Sequence, residues 1–138
     1  MLCREVINIV KPDVIINLAS LTNVDACESN TELAFSVHVG GTKNLASSFS
    51  GPIIHLSTDY VFNGENGPYS ENDTTDPINV YGLSKLASEK ALLDGQNNNL
   101  VIRANVVYDY YVRTQASFLN WVVDSLNEGK EISVVNDQ

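Results

Sequence analysis

Basic residues are scarce in this sequence: 8 Lys and Arg stand against 17 Asp and Glu, a formal charge of −9. Such a balance argues against nucleic acid as a partner, because its phosphates would be repelled, while a local basic patch could still bind one phosphorylated ligand. Long apolar runs are also missing, and none approaches the roughly 20 residues needed to cross a bilayer, so no membrane partner is expected. The opening Met1-Leu2-Cys3-Arg4-Glu5 is charged and has no signal-peptide core, which leads to the expectation of a cytoplasmic protein. Cysteine is limited to Cys3 and Cys27, which form neither a disulfide framework nor a zinc cluster and suit a reducing compartment. The histidines, His38 and His55, fall in no metal-ligand pattern and read as packing or hydrogen-bonding residues. The 8 glycines never take the G-x-x-G-x-x-G spacing that seats a phosphate at a helix amino terminus.

What is present is enough for one domain with a real core: 138 residues, 43% apolar. Four short apolar runs alternate with helical patterns. Asp13 to Ala19 is continuous and β-branched, as expected for a strand covered on both faces. A short turn, Asp25 to Ser29, precedes a helical stretch from Thr31 to Phe49, where Leu33, Val37, Gly41 and Leu45 share a face. Gly40-Gly41 weakens that helix by about 1 kcal/mol per glycine, and close packing on a sheet is the expected reason for tolerating them.

Pro52 to Ser57 is the second strand, followed by a polar segment from Asn63 to Asp76 that reads as a functional loop or solvated lid. Its acidic residues, Glu65, Glu71, Asp73 and Asp76, do not have calcium-loop spacing. A helix from Asn79 to Leu93 is closed by Gly95 as a left-handed cap. Leu100 to Arg103 is the third strand, Ser117 to Asn127 a third helix ended by Gly129, and Glu131 to Val135 a fourth strand. Trp121 falls in the apolar pattern of that third helix and is expected in the core. The alternation predicts an α/β fold with a parallel sheet and right-handed crossovers. Ligands of such sheets sit beyond the carboxyl ends of the strands, here Ala19-Ser20, Thr58-Asp59 and Ala104-Asn105.

Chemistry concentrates at two segments. Ser57-Thr58-Asp59-Tyr60-Val61-Phe62 ends the second strand, and Asn79-Val80-Tyr81-Gly82-Leu83-Ser84-Lys85 opens the next helix. Tyr81 and Lys85 are four residues apart on one helix face. A nearby ammonium favours phenolate and lowers a tyrosine pKa from its usual value near 10. A tyrosine so tuned donates a proton to a carbonyl oxygen as hydride arrives at carbon. Thr58 offers a second hydroxyl to that oxygen, and Lys85 can also hold ribose hydroxyls of a nicotinamide cofactor. Alone, Y-x-x-x-K is weak; the strand-terminal Ser57-Thr58 and the small residues Gly82, Ser84, Ala87 and Ser88 strengthen it.

These residues resemble the extended short-chain dehydrogenase/reductase superfamily, and within it the dTDP-4-dehydrorhamnose reductase family of sugar-nucleotide reductases. The likeness runs through Lys11 to Ala19, Thr22 to Glu28, Val39 to Leu45, Ser57 to Phe62, Pro68 to Glu71 and Pro77 to Lys85. By that resemblance Thr58, Tyr81 and Lys85 are the catalytic triad. Ala19, Ser20, Tyr81 and Lys85 would meet NADP or NAD, with NADPH favoured. Asp25, Thr58 and Tyr60 would approach a nucleotide-linked sugar. The resemblance implies no metal, and a homodimer of the full-length protein is the expected assembly.

Two departures qualify it. The family begins with a strand, a glycine-rich turn and a helix, and ends in a small substrate lobe; neither is here. The expectation is therefore a partial Rossmann-like domain over residues 1–138: the second half of the sheet with the triad, without the amino-terminal glycine-rich βαβ unit and inactive by itself. Arg103-Ala104-Asn105-Val106 also puts Val106 where the family usually has a tryptophan facing the deoxysugar, which leaves the sugar's identity open. Two other functions stay open: an NAD-dependent epimerase or dehydratase of sugar nucleotides, and a non-catalytic subunit resembling the methionine adenosyltransferase regulatory subunit.

Overall fold

The structure, a computed structural model, describes residues 3–95, 98–107 and 118–134. It divides into two units, Met1–Ala104 and Asn105–Gln138. The first runs α1 (Cys3–Val10), β1 (Ile15–Asn17), α2 (Val24–Ser29), α3 (Thr31–Phe35), a π-helical segment (Ser36–Gly40), α4 (Gly41–Ser48), β2 (Ile53–Thr58), a 3₁₀ turn (Asp59–Val61), α5 (Val80–Leu93) and β3 (Leu100–Ala104). The strands form a parallel sheet in the order β1-β2-β3, with Ile15 opposite Ile53 and Thr58 opposite Ala104. The fold class is the expected one: α/β, parallel and Rossmann-like.

Capping sets where the helices begin. Asn23, Asn30 and Asn79 each sit before a helix, and their side chains accept from the backbone N–H of Ala26, Leu33 and Gly82. The stretch foreseen as one helix from Thr31 is continuous but locally wound as a π segment around His38. A widened turn of this kind re-aims a side chain and is common at functional sites.

Several expectations are corrected. The first strand pairs over only Ile15–Asn17, and its Ile16 and the following Leu18 are 61% and 65% exposed rather than covered on both sides. Leu56, Leu100 and Ile102 are exposed as well, whereas Asn17, His55, Ser57 and Thr58 are buried beneath the helices. Gly40 and Gly41 do not serve close packing, since a Cβ on either would meet nothing within 4 Å. Gly95 is not left-handed. Instead α5 closes in a tight turn: the Gly95 N–H and the Asn99 amide both donate to the Leu92 carbonyl, at 3.3 and 3.1 Å. The helix α1 was not foreseen, and none of its residues is buried. It ends at Lys11, whose φ of 50° stops the helix ahead of Pro12.

In the second unit α6 (Phe118–Asn127) ends at Gly129 with φ +64°, as expected, and the Lys130 N–H donates to the Ser125 carbonyl at 2.8 Å. Trp121 is 43% exposed beside Phe118, not in a core. Residues 131–134 are irregular, and Val135 lies outside the described residues. A strand exists only through a ladder, and among the described residues this run has none. No helix among the described residues is long and apolar enough to cross a membrane.

Candidate active site

The site is assembled by α5 lying against β2, the 3₁₀ turn and the π segment. Its close approach depends on Gly82: a Cβ there would lie 2.1 Å from the Tyr60 carbonyl oxygen and 3.1 Å from Pro77 Cβ. That contact holds the 3₁₀ turn against the first turn of α5. It brings the Tyr60 ring edge-to-face onto Tyr81, with centroids 5.9 Å apart.

Thr58 ends β2, buried. Its hydroxyl donates to Asp59 Oδ1 at 3.1 Å and accepts from the Tyr60 N–H at 3.2 Å. Tyr81 is half-buried on α5. Burial raises its phenol pKa, and the Ser20 and Thr58 hydroxyls pull against that rise, while Cys27 and Asp59 add to it. Ser20 and Thr58 therefore both lie close enough to act on the phenol, one from each strand end.

Lys85 departs from expectation. Its side chain is buried and its ammonium donates to the Leu56 carbonyl at 2.6 Å. Burial pushes its pKa down to about 8 against an opposing pull from Glu89. The phenol of Tyr81 is raised, not lowered as the ammonium alone would make it. Burial is the largest cause at both groups, and neither Lys85 nor Tyr81 is among the groups that act on the other.

Ala19 and Ser20 follow β1. The Ala19 N–H donates to Asn17 Oδ1 at 3.2 Å. Ser20 Oγ lies 2.9 Å from His38 Nε2. Asp25 is exposed on the first turn of α2; from that helix it is the buried Cys27 whose charge would bear on the phenol. Val106 is 61% exposed.

Beneath the site lies a polar layer that the sequence reading missed. Ser57 donates to Glu89, and Glu89 holds Arg103 through contacts of 2.7 to 3.2 Å. Arg103 also donates to the Glu71 carbonyl at 3.2 Å and lies 5.3 Å from the Phe62 ring centroid. Phe62 stacks on Tyr69 at 4.4 Å, so this ion pair ties the long polar segment to α5 and β3. His55 lies 3.0 Å from the Asn17 amide and 2.9 Å from Ser88 Oγ. Ser84, Lys85, Ser88 and Glu89 are all buried on one face of α5. The signal was available as the three- and four-residue spacing of these polar positions, but spacing alone does not say that they face the sheet.

Sequence and structure comparisons agree on the lineage. The model of a family described as the RmlD substrate binding domain matches residues 2–138. A dTDP-4-dehydrorhamnose reductase of Sinorhizobium fredii is 41% identical over 131 residues, which is 92% of this chain and 43% of that protein. The methionine adenosyltransferase 2 subunit beta of Danio rerio is 34% identical over 134 residues, 96% of this chain and 42% of that protein. Among solved structures, a dTDP-4-dehydrorhamnose reductase from Bacillus anthracis in complex with NADP superposes with a TM-score of 0.89 at 32% identity, covering 98% of this chain and 48% of that one. The chain thus spans less than half the length of these relatives.

Proposed function

The chain belongs to the RmlD substrate binding domain family, and from that premise we propose that it carries the proton-donating half of an NADPH-dependent reductase of a nucleotide-linked 4-ketosugar. In this reading Tyr81 is the acid, Thr58 orients the ketone oxygen, and Lys85 holds the cofactor's ribose. One observation carries it: a half-buried phenol on α5 has the hydroxyls of Ser20 and Thr58, from beyond β1 and the end of β2, acting on it. A phenol beside such hydroxyls can give its proton to an oxygen they hold, and the rim of a parallel sheet is where a ligand enters.

The residues fit the nicotinamide end of such a cofactor. Lys85 has three N–H donors and gives one to Leu56, which leaves two for ribose hydroxyls. Ala19 and Ser20 line the strand end beside Tyr81, and we assign them to the same cofactor. When bound, the cofactor would supply the hydride. The sequence offers no glycine-rich turn for its pyrophosphate.

The chain's own part is positional and protic. Thr58 turns its hydroxyl from Asp59 to the ketone oxygen. Tyr81 gives its proton to that oxygen as negative charge develops there. The T-shaped Tyr60 ring fixes the plane of Tyr81 and, with Asp25, flanks the sugar nucleotide. The domain assignment, one partial dinucleotide-binding domain over residues 1–138, belongs to the same proposal. So do a homodimer, a cytoplasmic location and the absence of nucleic-acid and membrane partners.

The test is cofactor stoichiometry. A protein carrying these residues with a phosphate loop is incubated with NADPH and a dTDP-linked 4-keto-6-deoxysugar. One NADPH consumed per hydroxysugar formed supports the reductase. An isomerised sugar without net cofactor consumption would support the epimerase reading instead. The likeness to the adenosyltransferase beta subunit keeps a regulatory role as the second reading; it gains if the protein is inert with ketosugars and binds a partner protein tightly.

A further inference from the structure

Ala19 settles the direction of a buried hydrogen-bond chain. Its backbone N–H meets the Asn17 side chain at 3.2 Å, and a backbone N–H only donates, so the atom it meets is the amide oxygen. The other end of that amide is therefore the NH₂ group. It faces His55 Nδ1 at 3.0 Å and Thr42 Oγ1 at 3.4 Å. An NH₂ group offers no lone pair, so His55 Nδ1 accepts and carries no proton. The neutral ring holds its proton on Nε2, 2.9 Å from Ser88 Oγ, which accepts it. Ser88 in turn donates to the Lys85 carbonyl at 2.7 Å. Every link runs one way, from the end of β1 to the turn of α5 that carries Lys85.

The fold brings these groups together. Asn17 and His55 lie opposite each other in the register of β1 and β2, Thr42 comes from α4 and Ser88 from α5. All four are buried, where a polar group that loses its partner is not repaid by water. His38 makes a similar contact to α5, with Nδ1 2.8 Å from Ser84 Oγ and its ring edge on Tyr81, centroids 5.7 Å apart. Burial, and then the Lys85 charge, hold the His55 pKa down to about 4, so its ring is neutral at pH 7.

We propose that Asn17 and His55 are positioning residues for the cofactor end of the site: their one-way chain fixes the Ala19 backbone, and the Ser20 that follows, relative to the α5 turn bearing Lys85. The inference rests on reading Ala19, Ser20 and Lys85 as the cofactor-contacting group. The ladder between β1 and β2 ends at Asn17, and beyond it the Asn17 oxygen holds the Ala19 N–H instead. His55 acts through that amide, because holding its NH₂ group keeps its oxygen turned to Ala19.

The first test reads the wild-type imidazole by nitrogen NMR in the 138-residue chain, with His55 assigned by its loss in His55→Asn. A protonated Nε2 beside a bare Nδ1 is expected; the opposite tautomer overturns the proposal. Asn17→Asp keeps an oxygen for Ala19 but removes the donor, so His55 Nδ1 should gain a proton. An Nδ1 that stays bare would show that Asn17 is not its donor. Hydrogen exchange of the Ala19 amide, read against helical amides of α5, tests transmission. His55→Leu should speed it by about three- to tenfold, the worth of one modest hydrogen bond. His55→Asn, whose Oδ1 falls where Nδ1 stood, should restore it. Equal acceleration of the α5 amides, or none at Ala19, would reduce His55 to packing. If His55→Leu does not fold, the wild-type tautomer decides alone. NADPH affinity of a protein carrying these residues with a phosphate loop should fall by a similar factor in His55→Leu and recover in His55→Asn; an unchanged affinity would overturn the assignment to the cofactor end. Tautomer and exchange need neither cofactor nor turnover, so failure of the reductase reading is told apart from failure of the chain.

Discussion

The Lys85 ammonium donates to the Leu56 carbonyl at 2.6 Å, two residues before Thr58 on the same strand. The lysine thus sits against the central strand of the sheet, short of water, with a pKa pushed down by burial to about 8. It spans the two segments that carry the proposed acid and the ketone-orienting hydroxyl.

That burial has a signature in stability. The folded pKa lies below the unfolded value of 10.5, so between about pH 8 and 10 the unfolded chain binds more protons at this residue. Wild-type stability should therefore rise with pH across that window through this group. Denaturant titrations should show the rise weakened in Lys85→Met. Parallel pH curves for the two proteins would mean that Lys85 is better solvated than its position implies.

The two buried histidines act in acid. Burial first, then Lys85, brings each to about 4 from 6.5. Their contribution is complete above about pH 6.5 and is lost as pH falls toward 4, on the order of a few kcal/mol between them. Thermal melts should show a decline below pH 6.5 that is shallower in His55→Gln, where one titrating ring is gone. A flat profile down to pH 4 would contradict it.

Glycines in the same family of positions should respond in opposite ways. Gly82→Ala drives a Cβ to within 2.1 Å of the Tyr60 carbonyl, and overpacking of this kind costs about 1–3 kcal/mol. Gly40→Ala and Gly41→Ala meet nothing within 4 Å and sit at helical backbone angles, so each should stabilise by up to about 1 kcal/mol. Urea midpoints of the three variants check both signs. A neutral Gly82→Ala would show that α5 does not need its close approach.

The phosphate loop missing from the sequence has a binding consequence. The 138-residue chain alone should bind NADPH more weakly than micromolar, that is, with less than about 8 kcal/mol of favourable free energy. Calorimetry giving a sub-micromolar Kd would mean that the chain grips the cofactor by residues other than a glycine-rich turn.

Much of this arrangement was legible beforehand. Periodicity placed β2, β3 and α5, because continuous apolar runs and a capped helical repeat are local signals. The motif pair Ser57 to Phe62 and Asn79 to Lys85 picked out two segments that the structure brings together. The tertiary consequences were not legible. Lys85 looked like a neighbour that would acidify Tyr81; only the backbone of Leu56 above it shows where the ammonium goes. His38 read as a packing or hydrogen-bonding residue, but nothing in the chain announces that a π segment will place it against Ser20 and Ser84. Glu89 and Arg103 pair across 14 residues and two elements, which no periodicity encodes. The run after Gly129 has the composition of a strand, but pairing, not composition, makes one.

The central claim is that Tyr81 donates the proton in reduction of a nucleotide-linked ketosugar. Its most direct test is Tyr81→Phe in a protein that carries these residues with a phosphate loop, assayed by NADPH oxidation against a dTDP-linked 4-keto-6-deoxysugar. The substitution keeps the ring on Tyr60 and His38 and removes only the acid. Turnover should fall by about 10²–10⁴-fold, the usual contribution of a general acid, with KM changed far less. Near-normal turnover in Tyr81→Phe would contradict the account, because the phenol would then not be the proton donor.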